Sequence, residues 1–456
     1  MTRGDRLVLF GVIGVLLYAF LGAAVETSRE GVERAAPATA TQDETEPLER
    51  LPACPFGRHP EPFAPRPCPA LSEEEARAAG LSPREAAWWE PLGDGRVRCG
   101  LCPRRCVLKP GERGACRVRA NYGGKLVTLV FGHVAAFHDD AIEKKPLNHF
   151  LPGTTALSIA TPGCNLGCIF CQNWAISQAY PEKCPAEPKI RGLCHACRRA
   201  REERPELARI APKLLAKRDF SRLDPEEVVE LARAVGADSV AYTYTEPTVF
   251  YEYMLETARA ARKAGLKNVW VTCGFIEEKP LRELCRYLDA ANVDLKGFSE
   301  DFYRRYCGAA LAPVLRTLKI LKEEGVWVEV TNLVIPGAND DERMIRSMCR
   351  WLKKNLGAET PLFFSRFRPA YKLTDRPMTP VKTLEKAAKI AREEGMKFVY
   401  VGNVLEPEVT LCPDCGARLI VRTPPSVWEP GWRVENHLEN GRCPECGRLI
   451  PGVWSR

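Results

Sequence analysis

The sequence predicts an α/β protein: a partial (β/α)6-type TIM barrel, preceded by an N-terminal transmembrane segment and followed by a small domain built on paired cysteines. Three observations carry this. From about residue 156, apolar strand-like runs alternate with stretches of helical periodicity. Residues 7–24, "LVLFGVIGVLLYAFLGAA", run for eighteen positions without a charge. Near the C-terminus, "CPDCG" and "CPECG" repeat one cysteine spacing. A chain of 456 residues also exceeds one small core, so several domains are expected.

Arg3 and Arg6 precede the first apolar run, which is long enough to span a bilayer, so residues 1–25 are expected to anchor the protein. "GAA" at 22–24 also fits a signal-peptidase site, which leaves a cleaved leader as the alternative. Residues 26–83 carry eight prolines between Pro47 and Pro69 and little apolar periodicity, the composition of an extended linker. A cysteine-bearing region at 84–150 follows, then the barrel at 151–405 and the paired-cysteine domain at 406–456. Strands are expected at 156–161, 239–244, 268–273, 291–295, 326–335, 361–367 and 397–402. Helices are expected at 225–235, 247–264, 278–288, 311–324, 341–356 and 381–394. Asp224 and Pro225 start the first helix and Gly236 ends it. Met344, Ile345, Met348, Trp351 and Leu352 share one helical face and belong to the core. Repeated β-α units require a parallel sheet, and six or seven of them are too few to close an eightfold barrel.

In such barrels the chemistry gathers where strands end. Polar residues follow that rule here, strand after strand. Cys164, Cys168 and Cys171 come after the first, Thr245 and Glu246 after the second, and Thr272 with Cys273 close the third. Asp294 and Lys296 end the fourth, Thr331 and Asn332 lie in the fifth, and Arg366 and Arg368 end the sixth.

Hydrophobic content of 45% and charged content of 27% are ordinary for a folded protein. The net charge of +8 is concentrated in a basic insertion at 183–218, with eleven Lys/Arg against four Glu, so the rest is nearly neutral. That argues against general nucleic-acid binding. Twenty cysteines, mostly in tight groups, indicate metal ligation in a reducing compartment rather than a disulfide framework. C-x3-C-x2-C at 164–171 supplies three thiolates, whereas structural zinc takes four, so one coordination position is left open. Cys412, Cys415, Cys443 and Cys446 form two knuckles, a zinc-ribbon pattern, with rubredoxin-like iron as the alternative. Cys99, Cys102, Cys106 and Cys116 place four ligands in eighteen residues, for zinc or an auxiliary iron–sulfur cluster. Cys184, Cys194 and Cys197 make at most half a site in the basic insertion, and His133, His138 and His149 receive no role.

The triplet, with Phe170 before its third cysteine, resembles the signature of radical S-adenosylmethionine enzymes. The resemblance implies that three irons of a 4Fe–4S cluster bind Cys164, Cys168 and Cys171, while S-adenosylmethionine chelates the fourth. It further implies reductive cleavage of that cofactor and hydrogen abstraction from a substrate, with electrons from a flavodoxin- or ferredoxin-type donor. "YTYTEPT" sits where the family has a Gly-Gly-Glu-like motif, which makes Glu246 an acceptor for the cofactor's amino group. "VDLKG" is similar to an Asp-Leu-Lys segment of glycyl-radical-enzyme activases, implicating Asp294 and Lys296; a structural ion pair is the alternative. Thr272 and Thr331 are cofactor-contact candidates on the same grounds, although Cys273 stands where Asn is expected. "CRVRANYGGKL", "IEKKPLNHFLPG", "CQNWAISQ", "FSRFRPAYKLTDRPMTP" and "RCPECGRLIPGVW" together resemble the AmmeMemoRadiSam-system radical enzymes, near the pyruvate formate-lyase activating enzymes. That narrower resemblance implies Memo-like and AMMECR1-like partner proteins.

The expected function is therefore a radical enzyme acting on a protein or small molecule, with glycyl-radical activation the nearest analogy. The alternatives are a nucleic-acid-modifying radical enzyme and a membrane-tethered metal-binding scaffold. The supply of electrons and the number of reduced thiols favour a single-pass membrane protein with its catalytic domain in the cytoplasm.

Overall fold

The computed structural model describes residues 68–184, 221–426 and 431–455. Its central sheet has eight strands: β1 (Ala136–Ala141), β2 (Thr155–Ala160), β3 (Ser239–Tyr242), β4 (Lys267–Thr272), β5 (Ala290–Asp294), β6 (Trp327–Val334), β7 (Leu362–Arg366) and β8 (Val399–Gly402). They lie side by side in chain order, and β2 to β8 run parallel. The seven parallel strands are those read from the sequence. They are legible because strands covered on both faces become continuous apolar runs, as in β3, buried at every position. No ladder joins β8 to β1, so the barrel is partial.

Six helices alternate with the strands: α1 (Pro225–Ala234), α2 (Tyr251–Lys263), α3 (Glu278–Cys285), α4 (Leu311–Glu323), α5 (Glu342–Asn355) and α6 (Val381–Glu393). Local signals set their ends. The Asp224 amide donates to Glu227 at 2.9 Å at the start of α1, and Gly236, at φ +69°, ends that turn. Asp341 accepts from the amides of Arg343 and Met344 at 3.0 and 3.1 Å to begin α5. Ile345, Met348 and Leu352 of α5 are buried, so that face does pack into the core.

β1 is the strand missing from the sequence reading. It pairs antiparallel with β2, Thr155 opposite Ala141 through Ala160 opposite Ala136. Residues 68–83, read as linker, also fold. Cys68–Pro69 pairs with Glu112–Arg113, and the helix Glu73–Ala78 is closed by a Ser72/Glu75 capping box. Two small antiparallel sheets surround Cys99, Cys102, Cys106 and Cys116, and a three-stranded sheet carries the C-terminal knuckles.

The membrane expectation is corrected. Among the described residues no helix is long and apolar enough to cross a membrane. The longest, α5, has fourteen residues and a charged outer face, whereas a span needs about 20 apolar ones. No described helix therefore supports the expected transmembrane segment, the single-pass membrane localisation or the membrane as a partner; residues 7–24, on which they rest, lie outside the described residues. Most of the basic insertion, with Cys194 and Cys197, lies outside them as well.

Candidate cluster and cofactor site

The loop after β2 carries the cysteine triplet. It begins at Gly163, held at φ +98°. A Cβ there would lie 2.6 Å from a Val118 methyl and 2.8 Å from the Cys116 carbonyl oxygen, so only glycine lets the loop seat this deeply. Gly163→Ala is expected to cost at least about 2 kcal/mol, since strain and overlap add. Chemical denaturation measures that loss, and the iron content of the reconstituted variant should fall with it.

Beyond Gly163 the loop is pinned to the segment before α4. The amides of Gly167 and Ile169 donate to the carbonyls of Cys307 and Tyr306 at 2.9 and 3.0 Å. Cys164, Cys168 and Cys171 all reach one cavity of about 330 Å³. Its walls also include Phe170, Glu246, Thr272, Asp294, Lys296 and Thr331, so the fold brings every expected cluster and cofactor residue to one place. The triplet and Phe170 come from the loop after β2, Glu246 from the loop after β3, Thr272 from the end of β4, Asp294 and Lys296 from the end of β5 and Thr331 from within β6, so five successive strands supply the site.

The electrostatics suit a metal. Burial, then Glu246 and Cys168, push the Cys164 thiol well above its usual range. A hydrogen bond with Cys307, then burial, does the same to Cys168, and burial raises Cys171. Neutral without metal, these thiols release their protons when iron binds. Soft thiolates from one loop suit an iron–sulfur cluster, and the carboxylate and hydroxyls opposite suit a polar cofactor. The residues fit both groups.

Glu246 is fully buried, and its carboxylate is already well occupied. One oxygen accepts from the Thr248 amide and hydroxyl at 3.1 and 2.6 Å and from the Thr272 hydroxyl at 2.8 Å; the other, among the described residues, accepts the Cys273 amide alone, at 2.7 Å. The lightly loaded oxygen is the one left for a cationic amine. Lys296 donates to Asp294 at 2.9 Å. Burial opposes its charge, but Asp294 and the thiols of Cys273, Cys168 and Cys307 outweigh that and raise its pKa well above the usual value. The Thr331 hydroxyl donates to Asn292 at 3.0 Å, and Phe170 is 3% exposed against the cavity.

Sequence reasoning missed a second group. Gln172, Lys144, Lys145, Tyr244, Thr331, Leu333 and Ser365 also border a wider chamber of about 830 Å³, which continues towards Arg366, Arg368 and Asn403. At the junction Lys145 and Lys144 donate to opposite oxygens of Asp140 at 2.6 and 3.1 Å. Tyr244, at φ +64°, also donates to Asp140, and its hydroxyl lies 3.2 Å from His138 Nδ1. Burial pushes Lys145 down to about 8, against the pull of Asp140. Thr331, Arg366 and Arg368 are named above at strand ends, and Tyr244 lies within "YTYTEPT"; for Lys144 and Lys145 the signal is "IEKKPLNHFLPG", noted as part of a family likeness.

The other cysteine groups separate by geometry. Cys412 and Cys446 have sulfurs 3.6 Å apart, as do Cys415 and Cys443, and all four sulfurs lie within 4.8 Å of one another. This group could hold one metal ion. Cys99, Cys102, Cys106 and Cys116 line a second, smaller cavity. His149 is structural: fully buried, 2.7 Å from the Pro451 carbonyl and 2.6 Å from the Tyr400 hydroxyl, with burial pushing its pKa down to about 3.

A family model for the radical SAM superfamily matches residues 158–348, a span containing the triplet, Glu246, Thr272, Asp294, Lys296 and Thr331. The chain is 44% identical over 370 residues to the uncharacterized protein MJ0808 of Methanocaldococcus jannaschii, covering 80% of this chain and 98% of that protein. A second protein of that organism, MJ0674, is 25% identical over 66% of this chain and 76% of its own length. The isethionate sulfite-lyase activating enzyme of Desulfovibrio desulfuricans is 25% identical over 137 residues, 30% of this chain and 43% of that enzyme. With the triplet, the buried carboxylate and the strand-end residues converging on one cavity, the chain belongs to the radical SAM superfamily and is a radical SAM enzyme.

Proposed function

We propose that this enzyme reductively cleaves S-adenosylmethionine in the cavity of the cysteine triplet and takes a hydrogen atom from a substrate held in the wider chamber. The observation that carries the reading is that single cavity, where the three thiols meet Glu246, Asp294 and Lys296 and which continues into a chamber bordered by shared residues. When bound, the cluster and cofactor supply an electron and a carbon-centred radical able to abstract hydrogen. Cys164, Cys168 and Cys171 would hold three irons. The free side of Glu246 would orient the cofactor's ammonium, and the Asp294–Lys296 pair would meet its polar groups. Burial of Phe170 and Cys168 keeps water from the reacting centre.

The chamber's Arg366 and Arg368 suit a substrate carrying an anionic group, while Lys144 and Lys145 are already paired with Asp140. Similarity to an activating enzyme over part of the chain favours a protein substrate of the glycyl-radical type. The AmmeMemoRadiSam affiliation and its Memo-like and AMMECR1-like partners rest on the sequence motifs alone and form part of the same proposal. A flavodoxin- or ferredoxin-type donor is the reductant general to the superfamily. Anaerobically reconstituted protein with S-adenosylmethionine and a strong reductant is expected to yield 5′-deoxyadenosine and methionine. No product from a protein carrying its full iron complement would overturn the reading.

A further inference from the structure

The outer side of the cysteine loop carries a feature of its own. Ile169, between Cys168 and Phe170, is half-buried and held from two sides. Its amide donates to the Tyr306 carbonyl at 3.0 Å, and its carbonyl accepts the Lys372 amide at 2.8 Å. Each side brings a ring and a cation together. The guanidinium carbons of Arg305 and Arg376 both lie 5.9 Å from the centre of the Tyr306 ring. The Lys372 ammonium lies 5.1 Å from the centre of the Tyr371 ring, and Tyr371 stacks on Trp174 with centroids 5.5 Å apart and planes 13° from parallel. Trp174 is 46% exposed, the one aromatic among the large exposed hydrophobic side chains of the described residues.

The backbone fixes these groups beside the cluster ligands. The Ala370 and Leu373 amides donate to each other's carbonyls at 3.2 and 3.1 Å, closing a turn with Tyr371 and Lys372 at its tip. Tyr371 takes φ +55°, a left-handed conformation that a residue with a Cβ seldom adopts, so its ring is placed against the local backbone preference. The single helical turn Trp174–Ser177 exposes Trp174 at one end. At the other, the buried Ser177 has its Oγ 3.2 Å from Cys171 Sγ. The charge around the rings is positive. Arg304 and Arg305 are 62% and 65% exposed and share Asp301; Lys372 is exposed, and Arg376 donates to the Pro336 carbonyl and the Tyr306 hydroxyl. Against these four cations stand Asp301, Asp375 and Glu300, and Glu300 is taken up by the amides of Leu311 and Ala312 at the start of α4.

From these observations we infer that this face docks a small acidic electron-carrier protein, with Trp174 and Tyr371 as its apolar anchor and Lys372, Arg304, Arg305 and Arg376 as its charged rim. The carrier gives up one electron there, past Cys171, and no atom is transferred. The inference rests on the proposed cofactor cleavage, which needs that electron. A protein substrate is the other occupant to consider. Trp174, Tyr371, Lys372 and Arg305 do not border the substrate chamber but lie over the cysteine loop, which favours the carrier.

The test uses the full-length protein, reconstituted anaerobically, with flavodoxin and a 2Fe–2S ferredoxin as carriers. Calorimetric titration with the oxidised carriers measures affinity, and loss of the cluster's visible absorbance measures reduction by the reduced ones. Dithionite, which needs no docking, is the reference reductant. At least one carrier should bind, and more weakly as salt rises. Lys372→Glu/Arg305→Glu should weaken its binding and slow its reduction of the cluster at least about tenfold at low salt, and Trp174→Ala about tenfold. Lys389→Glu, on the exposed side of α6, controls for net charge and should change neither by much. Iron content and 5′-deoxyadenosine formation with dithionite should be unchanged in all three variants. The inference is overturned if neither carrier binds a protein that dithionite reduces, or if the carriers bind the first two variants as tightly as the natural protein, which would leave the face to a protein substrate. An equal loss with dithionite overturns it too, marking these residues as supports of the cysteine loop, as does an equal loss in Lys389→Glu. No 5′-deoxyadenosine from iron-replete, dithionite-reduced protein would instead be a failure of the proposed reaction, so the two failures are distinguishable.

Discussion

Replacing Cys168 by alanine is expected to lower 5′-deoxyadenosine formation at least about a thousandfold, a loss of about 4 kcal/mol of transition-state stabilisation or more. The loop offers three thiols for one cluster, and removing one leaves an iron without a protein ligand where water cannot easily replace it, since the site is 7% exposed. Serine should not rescue the activity, because its hard oxygen is a poor substitute for a thiolate towards iron. The fold should survive. Cys168 lies in a loop whose path is set by amide bonds to the Cys307 and Tyr306 carbonyls, and its side chain contributes little volume to the core. Product assay, iron content and far-ultraviolet circular dichroism check the three parts together. Cys349→Ala, a buried thiol on α5 outside the cavity, should leave product formation unchanged. Undiminished product from the Cys168→Ala protein would show that the triplet does not hold the cluster.

The second large effect is on stability. Cys443→Ser is expected to remove one metal ion per chain and to cost at least about 3 kcal/mol, lowering the melting temperature by several degrees. The knuckles have little else to hold them. Cys412 and Cys443 are buried in a small cluster with Leu419, Ile420 and Ile450, while Cys415 and Cys446 are exposed. That cluster is not self-contained, because it takes in Phe363 of β7 and Tyr400 of β8. Val453 pairs with Phe150, and the buried Arg422 donates to Thr410 at 2.9 Å and to the Asn148 carbonyl. Losing the ion should therefore loosen the last strands of the barrel along with the ribbon. Cofactor cleavage should fall much less than in the Cys168 variant, since none of the four cysteines borders the cluster cavity. Zinc analysis with calorimetry measures the effect; an unchanged melting temperature in a metal-free variant would show that the ribbon is held by packing alone.

The barrel was legible because its parallel strands are buried on both faces, so hydrophobicity alone marks seven strands, while their order of pairing is read from the structure. The strand-end rule makes the triplet, Glu246, Thr272, Asp294, Lys296 and Thr331 legible as well, because β-α repetition leaves those ends on one side. β1 was not legible. "AFHDDA" is an edge strand with three polar residues and no clear alternation, and its place is decided by the backbone of β2. With it went the Asp140–Lys145–Tyr244–His138 group, since Tyr244 lies 104 residues from Asp140 and meets it through the fold alone. The apolar run at 7–24 lies outside the described residues, and no described helix is long and apolar enough to cross a membrane.

Cysteine spacing draws the same line. Four cysteines a few residues apart read as a metal-ligand set, because thiolates brought so close repel one another and a cation relieves that repulsion. Which metal they bind depends on distances between sulfurs, and those are set by how the surrounding strands turn. The two C-terminal hairpins draw their sulfurs together to 3.6 Å. The two small N-terminal sheets instead hold Cys99, Cys102, Cys106 and Cys116 apart around a cavity, against a buried arginine. Chain spacing carries ligand number; tertiary packing decides the size of the group those ligands enclose, because sulfur-to-sulfur distance is a property of backbone paths that meet only after folding.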